Sequence, residues 1–599
     1  RFALRCILDA LRHRGSIPTI EESTEPAVIL GRVDDRQPSR SEEPRDDLIA
    51  WGGRIYGSGA VGDPCEVVRR GLSQEGSAYV ARLEGMFAGA HWSARERRLL
   101  LFRDRLGFRP LYFATSGGAL FFASEVRSLL ASDAIPRSLD REGLATFLWN
   151  GFVVAPRTLV HGVSALLPGH CLEFAPGSGE PQVREYWRVG PYQERPDGET
   201  RVRDALEQAV ERQCATEGEP GFFLSGGIDS SAVVALAARR VDRPLKTFNI
   251  AFEFEEYDET PYAEAVARGL GTDHRTIPLT ESAMRKDLEA ALSSLDQPSV
   301  DGINTYFVSR AVREAGFSVA LGGTGGDDLF GGNRTFLDIP KMAVWGRRLG
   351  WLPESVRRSG GRWIRRWKLG PTRTLPHQTR WGKLDEVLAA GADLTPLYQL
   401  VAAKFTPETV RRLSPWAATA STRYGLTTER FSSLLADTAP NPDLFAIAQL
   451  ELALFLGDRL LRDIDGVTSA AGLEVRAPLL DEGVIAEWRS ASLDAMFLPL
   501  GRKEALRRAA LSDLDPGLFD RPKAGFVMPF ERWFRGDLGE GIEAVFRDAE
   551  LCRSAGLDPT TVRLVWSAFL ANDSGVYWTR VWGLYVLLRW CRQHGVSAR

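Results

Sequence analysis

Apolar positions change their spacing twice along the chain. Through the first 190 residues they come in short runs, Leu99 to Arg103, Leu120 to Ala123 and Cys171 to Phe174, parted by clusters of Gly, Pro and Ser. Runs of that length between turn-forming residues predict strands, so this part reads as a β-rich domain with few helices. From Ala175 to Pro181, and again from Val189 to Thr200, the pattern lapses into Pro, Gly and polar residues on either side of Tyr186-Trp187. That lapse places a linker at 191–200, between a domain of residues 1–190 and one of residues 201–599. Beyond it, Phe222 to Leu224, Thr247 to Phe252 and Ser318 to Leu321 read as buried strands that alternate with helical periods such as Val202 to Val210 and Ala263 to Leu270. Strand-helix alternation predicts a parallel α/β sheet. After about Asp338 the spacing becomes i, i+3, i+4, clearest in Leu444 to Leu461 and Val581 to Trp590, and predicts helical additions to that sheet.

Composition narrows the class without changing this outline. With 44% hydrophobic, 26% charged and 10% aromatic residues in 599 positions, the chain is neither disordered nor fibrous. Lys plus Arg (75) against Asp plus Glu (78) leaves a net charge of −3. The chain as a whole therefore presents no field for nucleic acid or an anionic membrane, and any such partner needs a local patch. The longest apolar runs, such as Ala232 to Ala238 and Leu452 to Leu456, fall far short of the roughly 20 residues a spanning helix requires, so no membrane span is expected. Six cysteines (Cys6, Cys65, Cys171, Cys214, Cys552, Cys591) show no CxxC spacing. They signal neither a zinc site nor a disulfide framework, and read as reduced thiols of a cytoplasmic protein. The sequence opens at Arg1, with neither Met nor a signal pattern, so residues ahead of it lie outside this reading.

One segment departs from the near-neutral balance. Lys341 to Lys383 holds Arg347, Arg348, Arg357, Arg358, Arg362, Arg365, Arg366 and Lys368, with Glu354 as the main counterweight, and interleaves Trp345, Trp351, Trp363, Trp367 and Trp381. It is expected to be an amphipathic helical insertion whose Trp face packs inward and whose Arg face is solvated; the functional alternative is a docking surface for an acidic or aromatic peptide.

Candidate chemistry sits in two glycine-rich turns. Phe223-Leu224-Ser225-Gly226-Gly227-Ile228-Asp229-Ser230-Ser231 runs from a buried strand through a Ser/Gly turn into a helix. Converging backbone N–H groups, three hydroxyls and a helix N-terminus make such a turn a cradle for phosphate. No Gly-Lys-Ser/Thr follows, so it is not a Walker loop. Asp229, an acid inside a phosphate cradle, makes sense with a Mg²⁺ between it and a nucleotide. The second turn, Gly322-Gly323-Thr324-Gly325-Gly326-Asp327-Asp328, ends another strand and offers Asp327 as a second metal ligand, in the crevice where open α/β sheets bind ligands.

Ser225 to Ser230 resembles the pyrophosphatase loop of the asparagine synthetase superfamily, and Gly322 to Gly332 resembles its SGEGADELFGG segment. Asp465 to Asp481 is similar to DRASMAxxLEARVPFLD, and Arg521-Pro522-Lys523-Ala524-Gly525-Phe526 to RPKxGF. Upstream, Arg12 to Gly15, Leu83 to Ala88, Arg103 to Tyr112 and Ala123 to Glu125 resemble its amidotransferase domain. The resemblance implies an Ntn-hydrolase-like α/β sandwich followed by an adenine-nucleotide α-hydrolase-like parallel α/β synthetase domain. It implies ATP and Mg²⁺, activation of a carboxylate as its acyl-adenylate and attack by an amine. Asp229 and Asp327 would hold the metal, Ser225, Gly227 and Ser230 the phosphates, and Phe223, Ile250 and Gly323 the adenosine, with Leu224 and Gly226 in the same loop. Lys523 would neutralise charge developing on phosphate and oxyanion.

Departures from the family pattern bear on the substrate. The glutaminase turn NGEIYN reads Gly52-Gly53-Arg54-Ile55-Tyr56-Gly57, so Asn becomes Gly52 and Glu becomes Arg54; Pro64 stands where an Asp binds the substrate's amino group. Cys6 precedes a helix-like run, Ile7 to His13, and is no substitute nucleophile. Thr324 replaces the Glu of asparagine synthetases and the Tyr base of β-lactam synthetases. By elimination the chain is most similar to a lasso peptide cyclase with an inactive glutaminase-like domain. Such an enzyme takes a precursor core peptide and works with a leader-binding protein and a leader peptidase. Asparagine synthesis from ammonia and β-lactam-type closure are the alternatives; a non-catalytic scaffold fits poorly with an intact Asp229, Asp327 and Lys523. Holding some fifteen peptide residues threaded costs on the order of tens of kcal/mol in entropy, so a large enclosing cavity is expected. Asp328, Glu474 and Asp465 are candidates for the amine's base, each equally readable as a structural ion pair.

Overall fold

The computed structural model describes residues 2–14, 17–23, 28–34, 47–56, 64–177, 179–215, 219–241, 243–253, 258–370, 375–520 and 528–598. In the first part, five strands form an antiparallel sheet in the order Gln182–Glu185, His170–Phe174, Arg98–Arg103, Glu84–Ser93, Leu48–Tyr56. Alternation along these strands feeds two cores. One face, with Ala50, Ala90, Trp92, Leu101 and Leu172, packs on a second sheet built from Tyr112–Ser116, Ala119–Ala123 and Val163–Ala165. The other face, with Phe87, Leu100 and Phe102, packs on Val68 and Leu72 of the helix Pro64–Glu75. Two sheets with a helix on the outer face make the expected α/β sandwich. The opening helix spans Phe2–Ala10, so Cys6 lies within it rather than ahead of it.

The second part is built on a five-stranded sheet in the order Asp273–Leu279, Lys246–Phe252, Gly221–Phe223, Val319–Leu321, Glu474–Arg476, parallel throughout. Gly221–Phe223, first in the chain, lies in the middle. The next two strands go to one side of it and the following two to the other, so the direction of winding reverses between Gly221–Phe223 and Val319–Leu321. Open α/β sheets bind ligands outside the carboxyl ends of the strands at such a reversal, and both glycine turns lie there. The helix Ile228–Ala238 is buried along Ser230–Ala237 because its sequence is apolar all round.

Helices fill the rest. The stretch from Leu444 to Leu461, expected to be helical, is helical throughout, with Glu451–Leu460 wound as a π-helix between Asp443–Leu450 and Leu461–Ala470. The wider turn accompanies inward polar groups: Glu451 accepts from the Tyr398 hydroxyl at 3.0 Å and from Thr335, and Arg459 reaches Asp301 at 2.6 Å.

The cores cross the divide between the two parts. Tyr112, Leu129, Leu144, Phe147 and Val163 share one cluster with Trp533, Phe546, Trp582 and Leu588 near the C-terminal end. Leu139 donates its N–H to the Ser597 carbonyl at 2.9 Å, and Ser138 and Ser597 form a parallel bridge. Each large apolar side chain buried in this joint core contributes about 1.5–3 kcal/mol.

The basic, Trp-rich segment overturns its expected orientation. The helix Glu354–Leu369 packs with three of its five arginines inward: Arg358 pairs with Glu386 at 2.6 Å, Arg365 with Asp385 at 3.0 Å, and Arg357 donates to the Leu388 carbonyl. Its indoles face out instead, Trp363 being 71% and Trp367 79% exposed. The neighbouring helix Leu384–Ala390 sets this choice. Its two carboxylates attract the guanidinium side, and Gly361 lets the helices close until a Cβ there would stand 2.6 Å from the Asp385 Cα.

Candidate active site

The first turn is held open by its own hydroxyls. Leu224 donates its N–H to the Phe248 carbonyl at 2.9 Å, which fixes the strand end and buries its side chain in the core. Gly226 then takes φ +72°, and a Cβ there would collide with the Tyr262 backbone, so only glycine fits. Ser225 and Ser230 place their Oγ atoms 3.1 Å apart, and the Gly227 N–H donates to the Ser225 Oγ at 3.3 Å. Gly227 precedes the eleven-residue helix Ile228–Ala238 without a side-chain cap, so the helix presents first-turn N–H groups and a partial positive charge beside these hydroxyls.

The second turn packs directly on the first. A Cβ on Gly323 would stand 2.5 Å from the Asp229 carbonyl carbon, and one on Gly326 would overlap the Asp229 carboxylate. The absence of side chains at these positions brings Asp229 and Asp327 together.

Both carboxylates converge on a residue that the motifs did not indicate. Lys503 Nζ lies 2.7 and 2.6 Å from the two carboxylate oxygens of Asp229 and 2.6 Å from Asp327 Oδ1. Lys503 is buried, in the left-handed backbone region at φ 50°, immediately before the helix Glu504–Ala510. Burial alone would lower its pKa; Asp229 and Asp327 outweigh that and raise it. A Cβ at Gly332 would strike both Asp327 and the Lys503 stem, so glycine is required there as well. The ammonium occupies the spot where two carboxylates jointly hold a cation. Among the described residues no cluster of three or more His, Cys, Asp and Glu stands ready for a metal. Two protein carboxylates plus substrate phosphate is the ligand set Mg²⁺ ordinarily takes, and the pair fits it.

Other expected residues fall in varied places. Phe223 stands edge-on to Phe248 at 5.0 Å, its register partner on the neighbouring strand, whereas Ile250 lies in the core. Lys523 lies outside the described residues. Of the base candidates, Asp328 is buried and accepts from Asn333 Nδ2 at 2.9 Å. Glu474 is paired with Arg476 at 2.7 Å and Arg54 at 3.6 Å, and Asp465 with Arg14 at 2.7 Å and Arg109 at 2.5 Å. Burial would raise both carboxyls, but Arg476 and Arg109 beside Glu474, and Arg14 and Arg109 beside Asp465, hold them below the usual range. A carboxylate held ionised in this way is a weak base, so these two serve as ion pairs.

These pairs join the two parts of the chain, and they use the amidotransferase-like motifs to do so. Glu125, fully buried, takes His13 at 2.7 Å, Arg14 at 2.6 Å and Arg127 at 2.5 Å, while Arg14 continues to Asp465. Arg54, where the family's glutaminase turn has Glu, reaches Glu474 on the last strand of the parallel sheet. Thr324 lines a hollow on this boundary together with Met86, Phe108, Arg109, Asp465 and Thr468. Its volume is about 20 Å³, room for about one water-sized molecule. The large enclosing cavity expected for a threaded peptide is thus not what lies beside Thr324 among the described residues.

Comparison with known proteins follows this division. The asparagine synthase family matches residues 201–592 and the glutamine amidotransferase domain family residues 58–187. A putative asparagine synthetase (glutamine-hydrolyzing) of Mycobacterium bovis is 30% identical over 516 residues, covering 84% of this chain and 75% of that protein. Asparagine synthetase (glutamine-hydrolyzing) 1 of Bacillus subtilis is 27% identical over 478 residues, 78% of this chain and 72% of its own. Amidase chyE of Penicillium rubens is 29% identical over 296 residues, 45% of this chain and 43% of its own.

Proposed function

Because the chain belongs to the asparagine synthase family and is an ATP-dependent, AMP-forming carbon–nitrogen ligase, we propose that its nucleophile is a peptide amine and its product a macrolactam. On this reading it is a lasso peptide cyclase. It adenylates an Asp or Glu side chain of a precursor core peptide, releases pyrophosphate, and lets the peptide's N-terminal amine displace AMP to form an isopeptide bond. The observation that carries the reading is Arg54: the turn that would handle glutamine instead directs a guanidinium to Glu474. With Gly52 and Pro64 also in place of the family's residues, the amidotransferase-like part supports the synthetase part mechanically and supplies no ammonia from glutamine. The amine then has to come with the substrate.

The site residues suit the activation step. Ser225, Ser230 and the N–H groups at the start of Ile228–Ala238 would receive phosphate oxygens, as donors already oriented before the nucleotide arrives. Asp229 and Asp327 would hold Mg²⁺, which when bound neutralises charge on the departing pyrophosphate. Lys503, released from the carboxylates, would turn its ammonium to the same phosphates, and Lys523 would act from the segment that resembles the family's lysine motif. The Asp465 and Glu474 ion pairs leave the amine to lose its proton to water or Asp328; an N-terminal amine, with an ordinary pKa near 7.7–8.0, needs only a weak base.

Ammonia-dependent asparagine synthesis is the second reading, and the 20 Å³ hollow beside Thr324 favours it, since a molecule the size of ammonia would fit there. One experiment separates the two. The protein is given ATP·Mg²⁺ with either a leader-free core peptide carrying an N-terminal Gly and an internal Asp or Glu, or aspartate plus ammonia. Peptide-dependent pyrophosphate release with a product one water lighter supports the cyclase; turnover of aspartate and ammonia alone replaces it with the synthetase.

A further inference from the structure

We propose that the exposed face of residues 341–369, with Trp381, is a docking surface for an anionic lipid bilayer. This does not depend on which amide the enzyme makes. Of the thirteen large hydrophobic side chains exposed among the described residues, seven lie here: Val344, Trp345, Trp351, Val356, Trp363, Trp367 and Trp381. Large apolar side chains concentrated on one face mark an interaction site, whereas single ones scattered over a surface do not. Trp351 and Trp367 are each 79% exposed and Trp345 57%.

Charge states what kind of partner fits. Residues 341–383 contain twelve Lys and Arg and one acid, Glu354, a net of +11 in a chain whose total is −3. The inward arginines, Arg357, Arg358 and Arg365, are consumed by the helix Leu384–Ala390 and the carbonyls around it. Lys341, Arg348, Arg362, Arg366 and Lys368 stay exposed among the indoles. Two of them lie on indole faces, Lys368 Nζ 3.7 Å from the Trp381 ring centre and Arg348 5.3 Å from that of Trp345. Cationic heads and aromatic rings are therefore in direct contact at two places in this segment.

A bilayer surface takes this arrangement and a soluble peptide takes it less well. Indoles settle at the headgroup level with the ring in the acyl boundary, and neighbouring Lys and Arg meet lipid phosphates, with no need for a pocket. Peptide recognition by comparison uses a groove or a free strand edge. Here the outward stripe Val356, Gly360, Trp363, Trp367 follows i, i+4, i+7, i+11 along one convex helix, and no strand lies among the described residues of 341–383.

The test is co-sedimentation of the full chain with vesicles of phosphatidylcholine alone and of phosphatidylcholine with phosphatidylglycerol in equal parts. Binding to the anionic vesicles at least tenfold tighter than to the neutral ones, weakened by added salt, is expected, together with quenching of tryptophan emission by brominated acyl chains. W363S/W367S and R362E/R366E should each lose at least tenfold in vesicle affinity while keeping the parent melting temperature, because these side chains stand in solvent. Absence of binding, equal binding to both vesicle types, or unaltered binding by both variants overturns the proposal. Capture of poly-glutamate without vesicle binding overturns it in favour of an acidic peptide, and self-association that W363S/W367S abolishes, again without vesicle binding, overturns it in favour of a second copy.

Discussion

Arg14 and Asp465, 451 positions apart in the chain, meet at 2.7 Å across the boundary between the amidotransferase-like and synthetase parts. Arg109 takes the other oxygen of the same carboxylate. Removing the acid takes from two largely buried guanidinium groups the carboxylate they share, leaving Arg14 with Glu125 alone, and breaking such a buried pair costs about 3–5 kcal/mol. Asp465→Asn is therefore expected to lower the melting temperature by several degrees, checked by calorimetry, and to raise the rate at which protease cuts between the two parts.

The same cluster makes the joint acid-sensitive. Burial would raise the Glu125 carboxyl, but Arg14, His13 and Arg127 overcome that and hold it well below the ordinary range, as their neighbours do for Asp465 and Glu474. Carboxyls depressed in the folded state contribute stability that is fully present above their unfolded values, about 3.8–4.5, and is lost as pH falls through that range and below. Thermal melts from pH 7 to pH 3.5 should show a steep decline below about pH 4.5. Glu125→Gln, less stable at pH 7, should decline less steeply.

Asp229 and Lys503 can be told apart by what each loses. Asp229→Ala is expected to cut pyrophosphate release at least a hundredfold, since charge stabilisation at the phosphates is usually the largest single contribution to such a reaction. Lys503→Met should reduce it comparably, with one further sign. Without the ammonium, Asp229 and Asp327 lose the cation they share, so added Mg²⁺ should raise the melting temperature of this variant more than that of the parent.

Gly326→Ala tests the packing of the two turns. Its Cβ would overlap the Asp229 carboxylate, which has to shift by about 1 Å to make room. A displacement of that size at reacting groups can cost about a hundredfold in rate. Pyrophosphate release should fall by about that factor with the melting temperature nearly unchanged.

Lys383 predicts a rise of stability in alkali. It is buried, donating to the carbonyls of Leu400 and Ala403 at 2.8 and 2.6 Å. Burial, then Arg580, Lys404 and Arg380, lower its pKa to about 7. An unfolded lysine keeps its proton up to about pH 10.5, so between pH 7 and 10.5 the unfolded chain binds more protons and stability grows with pH. The slope from this one group is at most about 1.4 kcal/mol per pH unit. Denaturant unfolding of Lys383→Met against the parent at pH 7 and pH 9 should show the difference.

Much of this architecture was legible because its signals are local. Ser225 to Ser231 and Gly322 to Asp328 are each a strand end, a glycine turn and an acid within a dozen residues, and the strand-helix alternation already implies which edge of the sheet they share. Lys503 was not legible. Its role depends on a loop returning from more than 170 positions beyond the second turn, and its left-handed backbone leaves no trace in residue type; the Leu-Gly-Arg-Lys-Glu run ahead of a short helix is the one faint signal. Arg14, Glu125 and Asp465 were each visible within a motif, but not as partners of one another. The orientation of Glu354–Leu369 is not legible in the sequence because its amphipathic pattern is two-sided: either the arginines or the indoles can be the buried face. The carboxylates of Asp385 and Glu386, on another helix, decide between them.

The bridge between Ser138 and Ser597 also bears on the order of assembly. A chain leaves the ribosome from its N-terminal end, and domains there usually complete themselves while the rest is still being made. Here Leu129, Leu144 and Phe147 share their core with Trp582 and Leu588, so the amidotransferase-like part emerges several hundred residues before the surface that covers it. During synthesis that apolar face stays open to solvent or to a chaperone. The two parts finish together, when the helix Trp578–His594 closes over both.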